Sequence, residues 1–479
     1  MSRADYPQPG LFVAGRWRLG AEGRGLLPVV NPADGMVLAE LPMASPADVD
    51  EALAAAEAAF GAWRRTPAYG RAGIVRRIGA LIRERRELFA ATIALELGKP
   101  LPEALREADT AAEMFEWAAE ECRRSYGRLI PARTPGQTLQ ASWEPVGPIA
   151  AFAPWNAPAI TPARKIAGAL AAGCTIVLKA AEETPATACL LARAAEDAGA
   201  PAGTVNLLFG EPAMISQRLL DSHIICGLTF TGSTEVGRGL ASLAGAGLKR
   251  MTLELGGHAP VLVFGDVDVE AVAAAAVAAK YRNAGQVCTS PTRFYVQQDV
   301  YGRFVDRFTA VVRDWTVGDP FALETRMGPV ATPRRLDAMA RLAEDARDRG
   351  LRVTGGTRVG AEGFFWAPTV LADAGDDCLA ANEEPFGPLA LIAPFRDADE
   401  AVAKANRLPQ ALAAYAFTHD ARLQARLAEA VCAGTLALNH WQASWPETPF
   451  GGRGASGFGV EGGVEGLQAF QQIKFVSAA

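Results

Sequence analysis

The sequence predicts an α/β fold in which parallel sheets are covered by helices on both faces. Three observations carry that expectation. First, from about residue 143, apolar runs of strand length alternate with helix-length runs: VGPIAAFAP before 159–172, CTIVLKA (174–180) before 184–198, TVNLLFG (204–210) before 213–221, and ICGLTFTG (225–232) before 233–244. Repeated strand-then-helix units pack as a parallel sheet with helices on its faces. Second, a new alternation opens at MTLELGG and APVLVFG and continues through an Ala-rich helix (267–283), FYVQ, a helix at 299–314, VTGG, a helix near 397–407, AAYAFT and GTLALN. Two α/β units therefore meet near residue 253. Third, 46–125 reads as helix throughout, a block able to cover one sheet face.

The elements follow in chain order. Residues 11–42 hold short β-like pieces (LFVAG, VVNP, LAELP) separated by turn residues. Pro46-Ala47-Asp48 opens an Ala/Leu/Glu-rich run to Arg65 with apolar positions at helical spacing. Further helical runs span about 70–97 and 101–124, divided by Gly98-Lys99-Pro100. The Ala-rich helix 267–283 is a packing element, since small side chains let backbones approach closely. No internal repeat and no low-complexity tract is present.

Composition excludes several function classes. Half of the 479 residues are hydrophobic and 21% are charged, which is globular rather than disordered. Net charge is −6 from 47 basic and 53 acidic residues, without the basic excess of a nucleic-acid binder. The Arg83–Arg86 stretch contains Glu84 and reads as a solvated helix face. Seven Cys at 122, 174, 189, 226, 288, 378 and 432 form no C-x-x-C pair, and the start MSRADYPQPG has no secretory leader. Reduced thiols in a cytoplasmic protein are expected. The uncharged stretch Pro145–Ala163 is broken by five prolines and cannot span a membrane.

The residues able to carry chemistry are few. Cys288, in NAGQVCTS, follows the Ala-rich helix directly; a lone cysteine there is by itself inert. A cysteine hydrolase would need a His base, yet the four His (223, 258, 419, 440) sit in no such context. Carboxylates remain. Glu254 lies between Leu253 and Leu255 before a Gly pair; burial there would raise its pKa and make it a usable base, while a strand-edge position would leave it inert. Asn156, in APWNAP, could donate to a developing oxyanion or simply cap a helix. GRGASG (452–457) matches G-x-G-x-x-G but follows PFGG rather than a strand, with too little chain after it for a βαβ unit. FTGSTEVG (230–237) is better placed, closing a strand and opening a helix whose free N–H groups at Gly232 and Ser233 could receive a pyrophosphate. Lys179 and Glu182 stand just past another strand, where parallel sheets bind ligands; there they could hold ribose hydroxyls, or be ordinary surface charges.

Together these pieces resemble the aldehyde dehydrogenase superfamily. The matches are PWN (154–156), LKAAEETP (178–185), FTGSTEVG (230–237), LELGG (253–257), NAGQVC (283–288), EEPFGP (383–388) and PFGG with SGFG (449–459), in the family's order and spacing. The resemblance implies a Rossmann-like cofactor domain, an α/β catalytic domain and a small oligomerisation arm. It implies Cys288 as nucleophile toward the aldehyde carbon, Asn156 with the Cys288 N–H as oxyanion hole, and Glu254 as activator of the water that hydrolyses the thioester. Lys165 matches a recurrent family position. Lys179 and Glu182 would hold the adenine ribose, with Phe230, Gly232, Ser233 and Gly237 at the pyrophosphate turn. Trp155 would line the cofactor cleft, and Glu384 and Phe386 would position the nicotinamide end. No metal is implied. The cofactor expected is NAD, because Glu182 would repel a 2′-phosphate, with NADP still open. Relatives that acylate coenzyme A lack a base at the position of Glu254, so water is the expected acyl acceptor.

The resemblance is nearest to succinate-semialdehyde dehydrogenases, in which two Arg and a Ser hold the distal carboxylate. Those positions correspond to Arg164, Arg282 and Ser444, and bidentate Arg–carboxylate pairing is geometry-specific. Either Arg could instead pair with a neighbouring acid. Ala157-Pro158-Ala159 replaces a bulky aromatic-Pro, opening the pocket, and Trp441 and Trp445 add aromatic surface near Ser444. Thr289 and Ser290 follow the nucleophile, Ala180 replaces a common Pro, and Val460 stands where many relatives carry Arg. The expected division is 1–122 with 145–252 for NAD(P), 253–447 for catalysis, and 123–144 with 448–479 as arm and tail. In the tail, LQAFQQIKFVS looks like a strand added to a partner's sheet, in a homodimer or homotetramer. The expected function is oxidation of a carboxylate-bearing semialdehyde such as succinate semialdehyde. Alternatives are an aromatic or broad-specificity aldehyde dehydrogenase, a cofactor-independent thiol esterase, and a non-catalytic relative.

Overall fold

The computed structural model describes residues 5–21, 23 and 25–479. Two large sheets organise it. In the first, strands Val205–Leu208, Ile176–Lys179, Ile149–Phe152, Gly227–Thr231 and Arg250–Glu254 lie side by side and parallel. Their side chains are almost all buried on both faces, as a sheet covered twice by helices requires. Helices Ile160–Ala172 and Pro185–Asp197 pack together with the N-terminal helices Ala68–Glu84, Arg86–Leu97 and Leu101–Cys122 on one face, and Pro212–Asp221 and Thr234–Ala246 pack together with Pro46–Trp63 on the other. Leu11–Val13 and Arg16–Arg18 close one edge, and Gly457–Phe458 closes the other, antiparallel to Arg250–Glu254 with Gly457 opposite Glu254. The second sheet runs Arg352–Thr354, Thr369–Ala372, Leu389–Phe395, Pro291–Gln297, Ala259–Val263, Ala413–Phe417, Thr435–Leu438, parallel except at its first strand.

The helical block 46–125 contains Pro46–Trp63, Ala68–Glu84, Arg86–Leu97 and Leu101–Cys122. Asp48 completes a capping box with Ser45 at the first of these. The run expected as one helix over 70–97 breaks at Arg85 (φ −109°, ψ 20°). The change of direction sends Phe89–Leu97 into the core, every residue of it buried, a demand on tertiary packing that local propensity does not express. Helix Pro333–Asp348 was not anticipated, although Thr332-Pro333 is an ordinary start signal.

The Ala-rich helix spans Val269–Tyr281, ending two residues short of expectation. Tyr281 donates to Thr369 O (2.8 Å), and the chain then passes through Asn283, Ala284 and Gly285, all at left-handed φ (50°, 52°, 71°). For Ala284 this conformation costs about 1–2 kcal/mol, so the surroundings must hold it.

Residues 448–479, expected as arm and tail, divide three ways. Gly457–Phe458 joins the first sheet, Gly463–Gln468 is a short helix packed beside Ile160–Ala172, and Gln471–Ala478 forms the arm. That last strand pairs antiparallel with Thr138–Pro145 of its own chain, so its first partner is internal. Its side chains Ile473, Phe475 and Val476 are exposed. Among the described residues, no helix is long and apolar enough to cross a membrane.

Candidate active site

A cleft of about 470 Å³ lies between the ends of the two sheets, and most of the expected site residues meet in it. Cys288 sits on the loop between the left-handed turn and strand Pro291–Gln297. Two glycines make its position accessible to neighbouring chain. A Cβ on Gly257 would come within 2.5 Å of Cys288 O, and one on Gly285 within 2.1 Å of Gly387 O. The LELGG and NAGQVC motifs are thus two sides of one close backbone approach. Gln286 is fully buried and fastens the loop, accepting from Ala331 N (2.9 Å) and donating to Asn283 O (3.0 Å). Burial pushes the Cys288 thiol up to about 12, and Glu254 and Glu384 add to that, while Arg164 opposes it. The residue is only half-buried and lines the cleft.

Glu254 ends strand Arg250–Glu254 and is 2% exposed. Neither carboxylate oxygen has a hydrogen-bond partner. Burial, with the Glu461 carboxylate nearby, holds its carboxyl well above the usual range; Arg164 and Lys165 work against this. It is the buried, unpaired carboxyl that a strand flanked by leucines produces when its end meets a cleft.

Behind Glu254 lies an ion cluster. Lys165, fully buried, does not line the cleft; its Nζ donates to Glu461 Oε1 (2.6 Å), Thr229 Oγ1 (3.0 Å) and Thr231 Oγ1 (2.8 Å). Thr229 also donates to Glu461 (2.8 Å). Lys165 and Arg164 hold the Glu461 carboxyl below its usual range despite burial. The sequence reading missed Glu461. Its signal was a single acid in the otherwise uncharged Gly-rich run GFGVEGG.

Asn156 is 7% exposed and caps no helix; its Nδ2 donates to Gln286 O (3.1 Å), beside Cys288. The amide carries a second hydrogen that this bond does not use.

The residues expected to hold the cofactor form two groups. Trp155, Gly232, Ser233, Glu384 and Phe386 line the cleft, with the Trp155 and Phe386 rings edge to face at 5.5 Å. A Cβ on Gly256 would come within 2.6 Å of Glu384 Oε2, so this glycine admits that carboxylate. Burial pushes the Glu384 carboxyl up to about 7. Ser233 caps helix Thr234–Ala246, accepting from Val236 N (3.4 Å) and, through its carbonyl, from Gly237 N (2.9 Å). Phe230 and Gly237 lie beneath rather than in the cleft: a Cβ on Gly232 would strike the Phe230 ring, and one on Gly237 would strike Leu255. Lys179 and Glu182 stand apart at the end of strand Ile176–Lys179. Glu182 accepts from Lys179 Nζ (2.7 Å) and Gly210 N (2.8 Å), so both oxygens are engaged. Arg335, absent from the sequence reading, lines the cleft, donates to Pro385 O and has a buried Nε without a partner.

At the opposite end, Arg164, Arg282 and Ser444 line the same cleft. Arg164 Nη2 donates to Ser444 Oγ (3.2 Å), its guanidinium lies over Phe450 (4.8 Å), and Nη1 is 4.0 Å from Glu461. A partial pairing with an acid therefore coexists with the serine contact. Trp441 also lines the cleft, held by Phe417 (4.5 Å) and Tyr415 (5.6 Å). Trp445 is 43% exposed and outside it, so only one of the two tryptophans adds aromatic wall.

Comparison with known proteins places this geometry. The model of the aldehyde dehydrogenase family matches residues 17–476. The chain is 46% identical to the putative 4-(hydroxymethyl)benzenesulfonate dehydrogenase TsaD2 of Comamonas testosteroni, over 99% of each. It is 40% identical to a probable succinate-semialdehyde dehydrogenase [NADP(+)] of Sinorhizobium fredii, over 99% of this chain and 95% of that one. The crystal structure of succinate-semialdehyde dehydrogenase from Burkholderia pseudomallei superposes with a TM-score of 0.96 at 38% identity, covering 98% of each chain.

Proposed function

This chain belongs to the aldehyde dehydrogenase family, and from that premise we propose that it oxidises an aldehyde bearing a distal anionic group to the carboxylic acid, with Cys288 as nucleophile. The observation that carries the reading is the convergence of Cys288, Asn156, Glu254 and Glu384 in one cleft with Arg164, Arg282 and Ser444 at its far wall.

The cleft fits a nicotinamide dinucleotide. The Gly256 cradle admits Glu384, the Gly232–Ser233 turn opens a helix N-terminus suited to phosphate, and Trp155 and Phe386 provide aromatic walls. Glu384, Phe386 and Trp155 would hold the nicotinamide end, Gly232 and Ser233 the pyrophosphate, and Lys179 and Glu182 the adenine ribose; Phe230 and Gly237 support that turn from below. The bound cofactor supplies the hydride acceptor that takes the Cys288 adduct to a thioester. We favour NAD, because Glu182 is pinned through both oxygens and meets a 2′-phosphate as a fixed negative charge.

The chain's own residues do the rest. The Cys288 thiol gives up its proton to water in the cleft as its sulfur bonds to the aldehyde carbon, and the carbonyl electron pair moves to oxygen. Asn156 Nδ2 and the Cys288 N–H stabilise that oxyanion, each donor contributing about 2.7–4 kcal/mol. Once ionised, Glu254 takes a proton from water, whose oxygen bonds to the thioester carbon as the C–S bond breaks and Cys288 leaves as thiolate. Lys165 acts from behind, holding Glu461 in place. We assign residues 1–122 and 145–252 to cofactor binding and 253–447 to catalysis. The exposed apolar side chains of Gln471–Ala478 support a further pairing with a second copy of the chain, in a homodimer or homotetramer.

Succinate semialdehyde is the first reading for the substrate, since its carboxylate suits two guanidinium groups and a hydroxyl. A second reading, an anionic aromatic aldehyde such as a sulfonated benzaldehyde, is favoured by the stacked Trp441 in the wall and by the benzenesulfonate dehydrogenase relative. The test is cofactor reduction across a panel: succinate semialdehyde, butanal, 4-sulfobenzaldehyde and benzaldehyde. Each anionic member should exceed its neutral counterpart in kcat/KM, and the larger of the two gains names the substrate class. Equal values for charged and neutral aldehydes refute the anion reading.

A further inference from the structure

We propose that Asn283 is the positioning residue of the oxyanion site, and that the helix Leu101–Cys122 and the turn before it hold it there. The inference rests on the reading of Asn156 as oxyanion donor.

An amide donor is useful only if its nitrogen, and not its oxygen, faces the developing charge. For Asn156 that choice is made by Gln286 O, which accepts one Nδ2 hydrogen at 3.1 Å. Turning the amide over would set Oδ1 against that carbonyl. The orientation of Asn156 is therefore as good as the placement of Gln286 O. Asn283 sets that placement: its Nδ2 donates to Gln286 O (3.1 Å) and to Asn156 O (2.9 Å). One buried amide thus ties the main chain of the loop bearing Asn156 to the main chain of the loop bearing Cys288. Those are the two loops that supply the oxyanion donors.

Both loops are anchored from one element. Glu103 Oε2 accepts from Asn283 N (2.9 Å). Four residues on, one turn along the same helix, Glu107 Oε1 accepts from Ala159 N (2.9 Å) and Ile160 N (3.4 Å), just past Asn156. Lys99, ion-paired with Glu107, reaches Asn156 O at 3.4 Å. Lys99, Glu107 and Asn283 are all buried, so these bonds are made in a medium where unpaired partners are costly. Asparagine also suits the backbone: at φ 50°, ψ 37° it occupies the left-handed region that Asn tolerates better than most residues. None of Lys99, Glu103, Glu107, Asn283 or Gln286 lines the cleft, so they act through Asn156 and Cys288 rather than on substrate.

The test is a double-mutant cycle on the full-length enzyme, reading the pre-steady-state burst of NADH with succinate semialdehyde. Asn283→Gly keeps the left-handed backbone and deletes the amide. It should slow the burst about 100-fold, near the loss expected for one oxyanion donor, with KM and NAD affinity changed less than about threefold. Asn156→Ala should slow it about 10²–10³-fold. The double variant should be no slower than Asn156→Ala beyond about threefold, because residues acting as a unit are not additive. Multiplying losses overturn the inference and leave the oxyanion reading intact, as does an unchanged burst in Asn283→Gly. If Asn156→Ala keeps its full burst while Cys288→Ala has none, the oxyanion reading fails and takes the inference with it. Should Asn283→Gly be insoluble, the isosteric Asn283→Asp runs the same cycle under the same criterion; insolubility of both overturns a positioning role in favour of a structural one.

Discussion

Replacing Arg164 with alanine separates its two neighbours, the far wall of the cleft and the base. Arg164 donates to Ser444 at 3.2 Å on one side and stands 4.0 Å from Glu461 on the other, with 12% of its side chain exposed. A hydrogen bond to a charged group contributes about 1.5–3 kcal/mol net, so losing the substrate's anion contact should lower kcat/KM about 10- to 150-fold, at 1.36 kcal/mol per decade. The second effect touches every substrate. Arg164 favours ionised Glu254, so its loss raises that carboxyl further and slows thioester hydrolysis at a given pH. Hydrolysis follows hydride transfer and so enters kcat, leaving the ratio of kcat/KM values for succinate semialdehyde and butanal to report the anion contact. The assay is that ratio in parent and Arg164→Ala, measured by NADH absorbance at saturating NAD. The expected result is a ratio that collapses by at least tenfold, with a smaller fall in butanal oxidation that a higher pH restores. Equal losses for both aldehydes would refute the assignment of Arg164 to the anion.

Two further outcomes follow from the charges around the thiol, and a third from Glu182. Glu254 works as a base only when ionised, and burial with Glu461 raises its carboxyl, so thioester hydrolysis should fall away with decreasing pH at values above the ordinary carboxylate range. Glu461→Gln removes a negative neighbour and leaves Lys165 uncompensated, both of which favour ionised Glu254; stopped-flow hydrolysis of the acyl-enzyme should then show its acid limb moved to lower pH, and a limb that stays put refutes the coupling. Cys288 has its thiol pushed up to about 12, so its alkylation by iodoacetamide in the cofactor-free enzyme, followed by peptide mass spectrometry, should keep rising beyond pH 10. Glu254→Gln should shift that rise downward, whereas slower alkylation in this variant would make Glu254 the thiol's activator instead. Glu182→Ala removes the carboxylate proposed to meet the 2′ position; repulsion of about 1–4 kcal/mol between close charges predicts a gain of roughly five- to several-hundred-fold in the NADP-to-NAD ratio of kcat/KM, and an unchanged ratio would move cofactor choice elsewhere.

Most of the residues argued from at the cleft wall, Arg335 excepted, were legible in the sequence because backbone geometry writes them as motifs. LELGG and NAGQVC need glycine where Gly257 meets Cys288 O and Gly285 meets Gly387 O, and FTGSTEVG needs Gly237 where a helix crosses Leu255. The parallel strands of the first sheet were equally plain, since burial on both faces forces short apolar runs, whereas Thr369–Ala372 and Leu389–Phe395 of the second sheet were missed. What lay behind the wall was not legible. Glu461 is some 200 residues from Glu254 in the chain and reaches it because Gly457 pairs with Glu254 as an added edge strand only two residues long. Glu103 and Glu107 lie on a helix that reads as an ordinary charged surface run, and only tertiary packing turns that face inward. The break at Arg85 and the early end of the Ala-rich helix have the same origin: local propensity continues the helix, and distant partners stop it.

The charges behind the wall follow from a constraint on the base. A carboxyl buried deeply enough to be a base near neutrality is, without counter-charges, buried deeply enough to stay protonated. Glu254 has no hydrogen-bond partner to favour its ionised form, so any such help must come through space. Lys165 and Arg164 provide it, but two buried cations next to one carboxylate would over-correct and leave themselves uncompensated. Glu461 resolves that conflict by taking Lys165 at 2.6 Å and approaching Arg164 at 4.0 Å, so that the base feels a partly neutralised field. The weaker of those two contacts is the one on the substrate side. A guanidinium fully paired with Glu461 would have no capacity for a substrate anion, and one fully released would pull Glu254 toward permanent ionisation. The 4.0 Å spacing, with Ser444 holding the other nitrogen of Arg164, leaves that side chain free for the two roles proposed for it, toward a substrate anion and toward Glu254.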